Sequence, residues 1–171
     1  MKKTILFLAM IISGIAAFGQ RTAADDLFDK YAGKDGYTTV YISKGLFRMV
    51  SQLDPEDQEA QALLNGLESI RILASEDNGT GINFFKEIEG KLPKGKYEEL
   101  MVIRDGEEHV KFLVNQEGDI IRELLLIAGG EGDNALIIIR GNLSLKSIAR
   151  LAGSLDIDAD GFEYLEELEN M

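Results

Sequence analysis

The segment 97–140, YEELMVIRDGEEHVKFLVNQEGDIIRELLLIAGGEGDNALIIIR, contains four apolar or alternating runs separated only by DG, NQEGD and GGEGDN. A parallel crossover needs about a dozen or more residues, so connections this short force successive runs to pair antiparallel. The four runs therefore predict a meander. Asp105-Gly106 is the strongest hairpin signal in the chain, because glycine takes the positive φ of a tight turn without steric cost. In EEHVKFLV, Val110, Phe112 and Val114 alternate with His109 and Lys111. That alternation predicts an apolar face and a wetter opposite one.

Upstream, YTTVYIS (37–43) is β-branched and aromatic and predicts a strand. KGLFRMVSQL then turns helical, with Leu46, Phe47, Met49, Val50 and Leu53 at helical spacing. Asp54-Pro55 supplies a cap and a proline at the first helical position for a second helical piece ending at Gly66. ESIRILA (68–74) is the next strand, followed by a helix over INFFKEIEGKL with Ile82, Phe85 and Ile88 facing the core. Nearer the start, TAADDLFDKYAG opens on the capping Thr22 with Asp25 at N3 and places Leu27, Phe28 and Tyr31 on one side of a short helix. After Arg140, GNLSLKSIARLAGSL gives Ser144 as a cap and Leu145, Ile148, Ala149 and Leu151 as a stripe. The predicted fold class is α+β: a largely antiparallel sheet of about six strands with helices covering one face. If the first two strands run parallel, their crossover is right-handed.

The first residues, MKKTILFLAMIISGIAAFG, place two lysines before an apolar run and small residues at Ala17 and Gly19. This is the pattern of a secretory signal peptide over residues 1–19, removed on export. A transmembrane anchor would need roughly 20 unbroken apolar residues, and Ser13 and Gly14 interrupt the run. The expected mature chain is a single domain over 20–171 with a short acidic tail at 156–171, periplasmic or secreted, with no membrane insertion after cleavage. Loss of Lys2 and Lys3 lowers the 18 basic residues to 16 against 30 acids, taking the net charge from -12 to -14. Such a chain repels nucleic acid and anionic membrane surfaces. The absence of cysteine excludes disulfides, thiolate metal sites and cysteine nucleophiles.

Taken in order, YTTVYISKGLFRMV, ESIRILA, YEELMVIRDGEEHVKFLV, IIRELLLIAGG and ALIIIRGNLSLKSIARLA resemble a family of exported proteins of Gram-negative bacteria, a domain of unknown function numbered 4252. The likeness runs from about Tyr31 to Leu155 and rests on strand and helix cores. It implies a secreted α/β domain with no assigned activity, sometimes encoded near regulators of envelope stress. It brings no functional residue to this sequence.

Among candidate sites, the stretch from Asp156 to Glu167 fits the spacing of a calcium loop. Asp156, Asp158 and Asp160 stand at positions 1, 3 and 5, Gly161 at 6, the Phe162 carbonyl at 7 and Glu167 at 12. Against it, Glu163 occupies the usually apolar position 8, only four residues follow Glu167, and there is no second loop. The alternative is an exit turn in which Asp158 or Asp160 caps a final helix, FEYLEELE, whose Phe162, Leu165 and Leu168 pack back on the domain.

NGTG (78–81) reads as a strand-to-helix turn, since Glu76 and Asp77 would repel a phosphate and no P-loop lysine is present. GGEGDN reads as a hairpin loop. Gly141 in Arg140-Gly141-Asn142 marks either a close backbone approach or a turn into the last helix, and the turn is the preferred reading. His109, the only histidine, reads as a solvated strand residue. Pairs such as Asp105 with Glu107 are unavoidable among so many acids, and Glu98 and Glu99 point to opposite faces.

No nucleophile, base and orienting group assemble from the sequence. The expectation is an exported, non-enzymatic binding domain without a cofactor, whose partner is an envelope or secreted protein of basic or cation-bearing character. The alternatives are a calcium-binding module over 156–167 and a small hydrolase using paired carboxylates. The exposed edge of the meander offers strand addition as a binding mode.

Overall fold

The computed structural model describes residues 21–53, 57–75, 82–130, 132–144 and 146–148. Six strands form one sheet: β1 (Tyr37–Ser43), β2 (Leu67–Ser75), β3 (Glu98–Asp105), β4 (Glu108–Glu117), β5 (Ile120–Gly129) and β6 (Asn134–Leu143). Their spatial order is β1-β2-β6-β5-β4-β3, and every neighbouring pair is antiparallel. The predicted meander is β3 to β6, with Gly106 (φ 57°) and Gly118 (φ 62°) at its first two turns. The first two strands are antiparallel neighbours, so the conditional right-handed crossover does not arise.

Among the described residues the sheet is accompanied by α1 (Ala23–Tyr31), α2 (Lys44–Val50), α3 (Gln58–Gly66) and α4 (Phe84–Ile88), and residues 146–148 are helical as well, with the Ser144 hydroxyl accepting the Ser147 N–H as the expected cap. The α+β class is as expected, but the helices, expected on one face, are divided between two. On one face α1 and α4 cover Leu73, Leu113, Leu125, Ile127, Leu136 and Ile138. On the other, α2, α3 and Ile148 of the helical residues 146–148 cover Leu67, Val114, Ile121, Leu124, Ile139 and Leu143. Both parities of β5 and β6 are therefore apolar, which is why LLLI and LIII read as unbroken runs.

Within α2 only Phe47 is buried, while Leu46, Met49 and Val50, and Leu53 in the turn after it, are exposed. Two local expectations change. The cap of α3 is Asp57, whose carboxylate accepts the Ala60 N–H at 2.8 Å; Asp54 and Pro55 lie outside the described residues. Gly141 sits inside β6, not in a turn, because the strand continues to Leu143. A Cβ there would lie 2.2 Å from the Gly66 carbonyl oxygen, so the glycine permits α3 to end directly against the strand.

The GGEGDN connection does more than turn the chain. Asn134 accepts the Phe84 N–H at 2.9 Å and donates to the Ile82 and Gly132 carbonyls at 3.0 Å each. Asn83 caps α4 by accepting from the Lys86 N–H at 2.9 Å. This five-residue helix is thus held by two asparagines and by Phe84, Phe85 and Ile88, all buried.

Candidate functional site

The helix start at Thr22 is the local origin of the site. Thr22 Oγ1 accepts the Asp25 N–H, and the Asp25 carboxylate accepts the Thr22 N–H at 2.9 Å, a reciprocal capping box. Capping leaves Asp25 oxygens directed at the sheet below. There they meet Arg140 of β6 in a two-pronged pair, with Nη1 donating to Oδ1 at 2.8 Å and Nη2 to Oδ2 at 2.9 Å. The same guanidinium donates from Nε to Glu123 of β5 at 2.5 Å, and Tyr97 O–H donates to the other Glu123 oxygen at 2.5 Å.

Strand register explains the convergence, since Arg140 is paired with Glu123, and Glu123 with Asn115, in one row across the sheet. The row lies at the polar end of the face that carries Leu125 and Ile138. The Asp25 and Glu123 side chains are 7% and 6% exposed, that of Arg140 25%. Burial alone would raise the pKa of Asp25; the Arg140 hydrogen bonds and the Thr22 N–H outweigh it and hold the carboxyl below its ordinary value. Burial also works to discharge Arg140, and the Asp25 and Glu123 carboxylates overcome it. Tyr97 is pushed above its ordinary value by burial first and by Glu123 second.

Above this row is an open cleft of about 420 Å³ into which five cations, Arg21, Arg71, Lys96, Arg122 and Arg140, and three carboxylates, Asp25, Asp29 and Glu123, project. Most of the charges are paired. Arg21 is held by Asp26 and Asp29, Arg122 by Glu117 at 3.0 Å and by the Asn142 side chain, and Arg140 as above. Two cations are less well matched. Arg71 reaches Asp25 only at 3.3 Å, with its guanidinium carbon 5.5 Å from the ring centres of Phe28 and Tyr41 and its buried Nε without an acceptor. Lys96 rests over the Tyr97 ring at 5.9 Å and makes no ion pair among the described residues. In a chain of net charge -12, the residues lining the cleft include five cations and three carboxylates, with Asp26 and Glu117 pairing Arg21 and Arg122 from beside it.

The site anticipated from sequence lies elsewhere. Asp156, Asp158, Asp160 and Glu167 are outside the described residues, as are NGTG and the segment 1–19 expected to be a signal peptide. Among the described residues, no group of three histidine or acidic side chains is placed to hold a metal. No helix among them is long and apolar enough to cross a membrane.

Asp105 and Glu107 are exposed at the β3–β4 turn, and Glu99 pairs with Lys111 at 2.7 Å. His109 shares a strand face with Lys111, as expected, but is half-buried instead of solvated. It stacks on Phe85 with ring centres 5.0 Å apart, and its Nε2 is buried without a partner. It is six residues from Asn115 on β4, about 20 Å at strand rise, and so does not join the cleft. Sequence reading took Asp25 only as the N3 residue of the helix that Thr22 caps and passed over Arg71, Tyr97 and Glu123. The usable signal was charge on the buried parity of a strand: Glu123 alternates with Leu125 and Ile127, Arg140 with Ile138 and Leu136.

Comparison with known proteins gives one match. The family model described as a domain of unknown function (DUF4252) matches residues 31–151, so the chain belongs to that family. The matched span includes Arg71, Lys96, Glu123 and Arg140 but begins after Asp25. No curated protein and no solved structure matches the chain.

Proposed function

We propose that this member of the DUF4252 family is an exported binding domain of the cell envelope, acting by interaction and not by catalysis, and that the cleft between the α1 N-terminus and the β6–β5–β4 row is its ligand site. The observation that carries the reading is the pair of incompletely matched cations in that cleft, Arg71 with its buried Nε lacking an acceptor and Lys96 without an ion pair among the described residues, on a chain of net charge -12. The ligand group is anionic, a carboxylate or phosphate, because guanidinium and ammonium groups in a partly desolvated cleft are matched best by oxyanions. Net charge alone favours a basic partner at long range; at contact distance the cleft selects for that partner's acidic group.

Two observations support interaction over paired-carboxylate hydrolysis. Asp25 is held below its ordinary pKa, whereas a general acid needs a raised one. Asp25 and Glu123 are both engaged by Arg140 and are not free to flank a substrate.

The test is titration of the chain from Gln20 to Met171 with inorganic phosphate and with citrate, followed by side-chain NMR of the arginine and lysine groups. Saturable shifts at Arg71 and Lys96 that weaken with added chloride and vanish in Arg71→Gln/Lys96→Ala are expected. Equal binding by the double variant would remove the cleft as the site.

A further inference from the structure

One rim of the cleft is a basic turn on an acidic chain. Residues 91–97, KLPKGKY, hold three lysines and no acid. Leu92 and Tyr97 pack against the core, and the Tyr97 O–H is held by Glu123, whose other oxygen accepts from Arg140. Between these anchors the Lys96 N–H donates to the Pro93 carbonyl at 3.3 Å, and Gly95 takes the positive φ of 74° that such a tight turn requires. Lys94 and Lys96 are exposed within this one turn, and neither has an ion-pair partner among the described residues. Across the cleft the other incompletely matched cation, Arg71 of β2, lies against Phe28 and Tyr41, and Tyr41 is 60% exposed. The strands carrying Arg71 and the Glu123 anchor are separated by β6 alone, so two gaps of about 4.8 Å set the two positive ends on the order of 10 Å apart. Between them Arg140 is already neutralised by Asp25 and Glu123.

We infer, resting on the reading of this cleft as an anion site, that it takes an extended acidic segment of a partner protein, in which two carboxylates about three residues apart engage Arg71 at one end and Lys94 with Lys96 at the other. An extended chain advances about 3.3 Å per residue, so three residues cover the separation of the two positive ends. Such a segment also brings uncharged residues to the middle of the cleft, where Asp25, Asp29 and Glu123 stand. A polyphosphate or an anionic lipid surface would instead press continuous negative charge against those three carboxylates. Arg71 offers a planar fork that matches a carboxylate, and the exposed Tyr41 ring beside it gives a flat surface, apolar in body and polar at its tip, for the neighbouring peptide. A ligand that engages both ends meets the second at high effective concentration, which neither carboxylate achieves alone.

Fluorescence-anisotropy titrations of the protein with end-capped glycine-serine peptides test this, one peptide carrying a single glutamate and the others two glutamates separated by one, three or seven positions. The three-position peptide is expected to bind about tenfold or more tightly than the single-glutamate peptide, and more tightly than the one- and seven-position peptides. That gain should shrink to about twofold or less in Arg71→Gln and in Lys94→Ala/Lys96→Ala. The lysine variant alters only exposed side chains, so it decides the matter even where Arg71→Gln disturbs the fold. Equal affinity for one and two glutamates, with inorganic phosphate still shifting the Arg71 and Lys96 side-chain signals, would overturn the inference and leave the cleft as a single-anion site. No shift with phosphate or with any peptide would remove the site and the inference together. Tighter binding of tripolyphosphate, or of equimolar phosphatidylcholine and phosphatidylglycerol vesicles, than of the three-position peptide would overturn it in favour of a polyphosphate or a membrane surface.

Discussion

Arg140 joins an element from the start of the chain to two strands from its end, and its three short contacts are with side chains that are almost fully buried. Removing it strands two carboxylates in a poorly hydrated place, so Arg140→Met should lose about 3–5 kcal/mol in urea unfolding. Arg140→Lys keeps the charge but loses the two-pronged geometry, and should fall between the two proteins.

The same pair gives a pH signature. The folded pKa of Asp25 is depressed below its ordinary 3.8, so its contribution is complete above that value and disappears as pH falls through the depressed one. Asp25→Asn should therefore be less stable than the parent at neutral pH, the gap closing in acid; a gap independent of pH would show that the carboxylate charge is not what matters. The Thr22 cap with Asp25 at N3 was legible because the two lie three positions apart in the chain. The Asp25–Arg140 pair was not, since local pattern carries no mark of a partner 115 positions away.

At the scale of elements, strand positions were readable because β-branched alternation and glycine turns are local. The exposure of the α2 stripe was not readable for a related reason: Leu46, Met49, Val50 and Leu53 have helical spacing, and spacing does not say on which side the sheet lies. Gly141 shows the complementary case, where a residue without a side chain fixes how two elements meet. Gly141→Ala would place its Cβ 2.2 Å from the Gly66 oxygen, a backbone atom that moves only if α3 or β6 moves. The expected cost is about 1–3 kcal/mol, as for other overpacked sites. Gly132→Ala, where a Cβ meets nothing within 4 Å, is the control and should stay within about 0.5 kcal/mol of the parent. Thermal unfolding of the two variants side by side checks the difference; equal losses would mean that the α3–β6 contact is not tight.

For the whole molecule, the meander followed from turn length, but the placing of β2 beside β6 did not. That pairing closes over the intervening hairpins and is chosen by apolar rows that match only in three dimensions. Net charge, by contrast, is fully legible and bears on stability directly. A surplus of 12 negative charges repels itself, and raising salt from about 10 mM to about 150 mM shortens the screening length from about 30 to 8 Å. The melting temperature should rise over that range with any monovalent salt. Calcium separates this general effect from a site in the acidic tail. If Asp158 or Asp160 only caps a helix, calcium and magnesium at equal ionic strength should raise the melting temperature alike, and Asp158→Ala should change neither response. An added shift with calcium alone, lost in Asp158→Ala, would instead assign Asp156, Asp158, Asp160 and Glu167 as ligands. The cap is the expected outcome, because the eighth position of the loop, usually apolar, is held by Glu163.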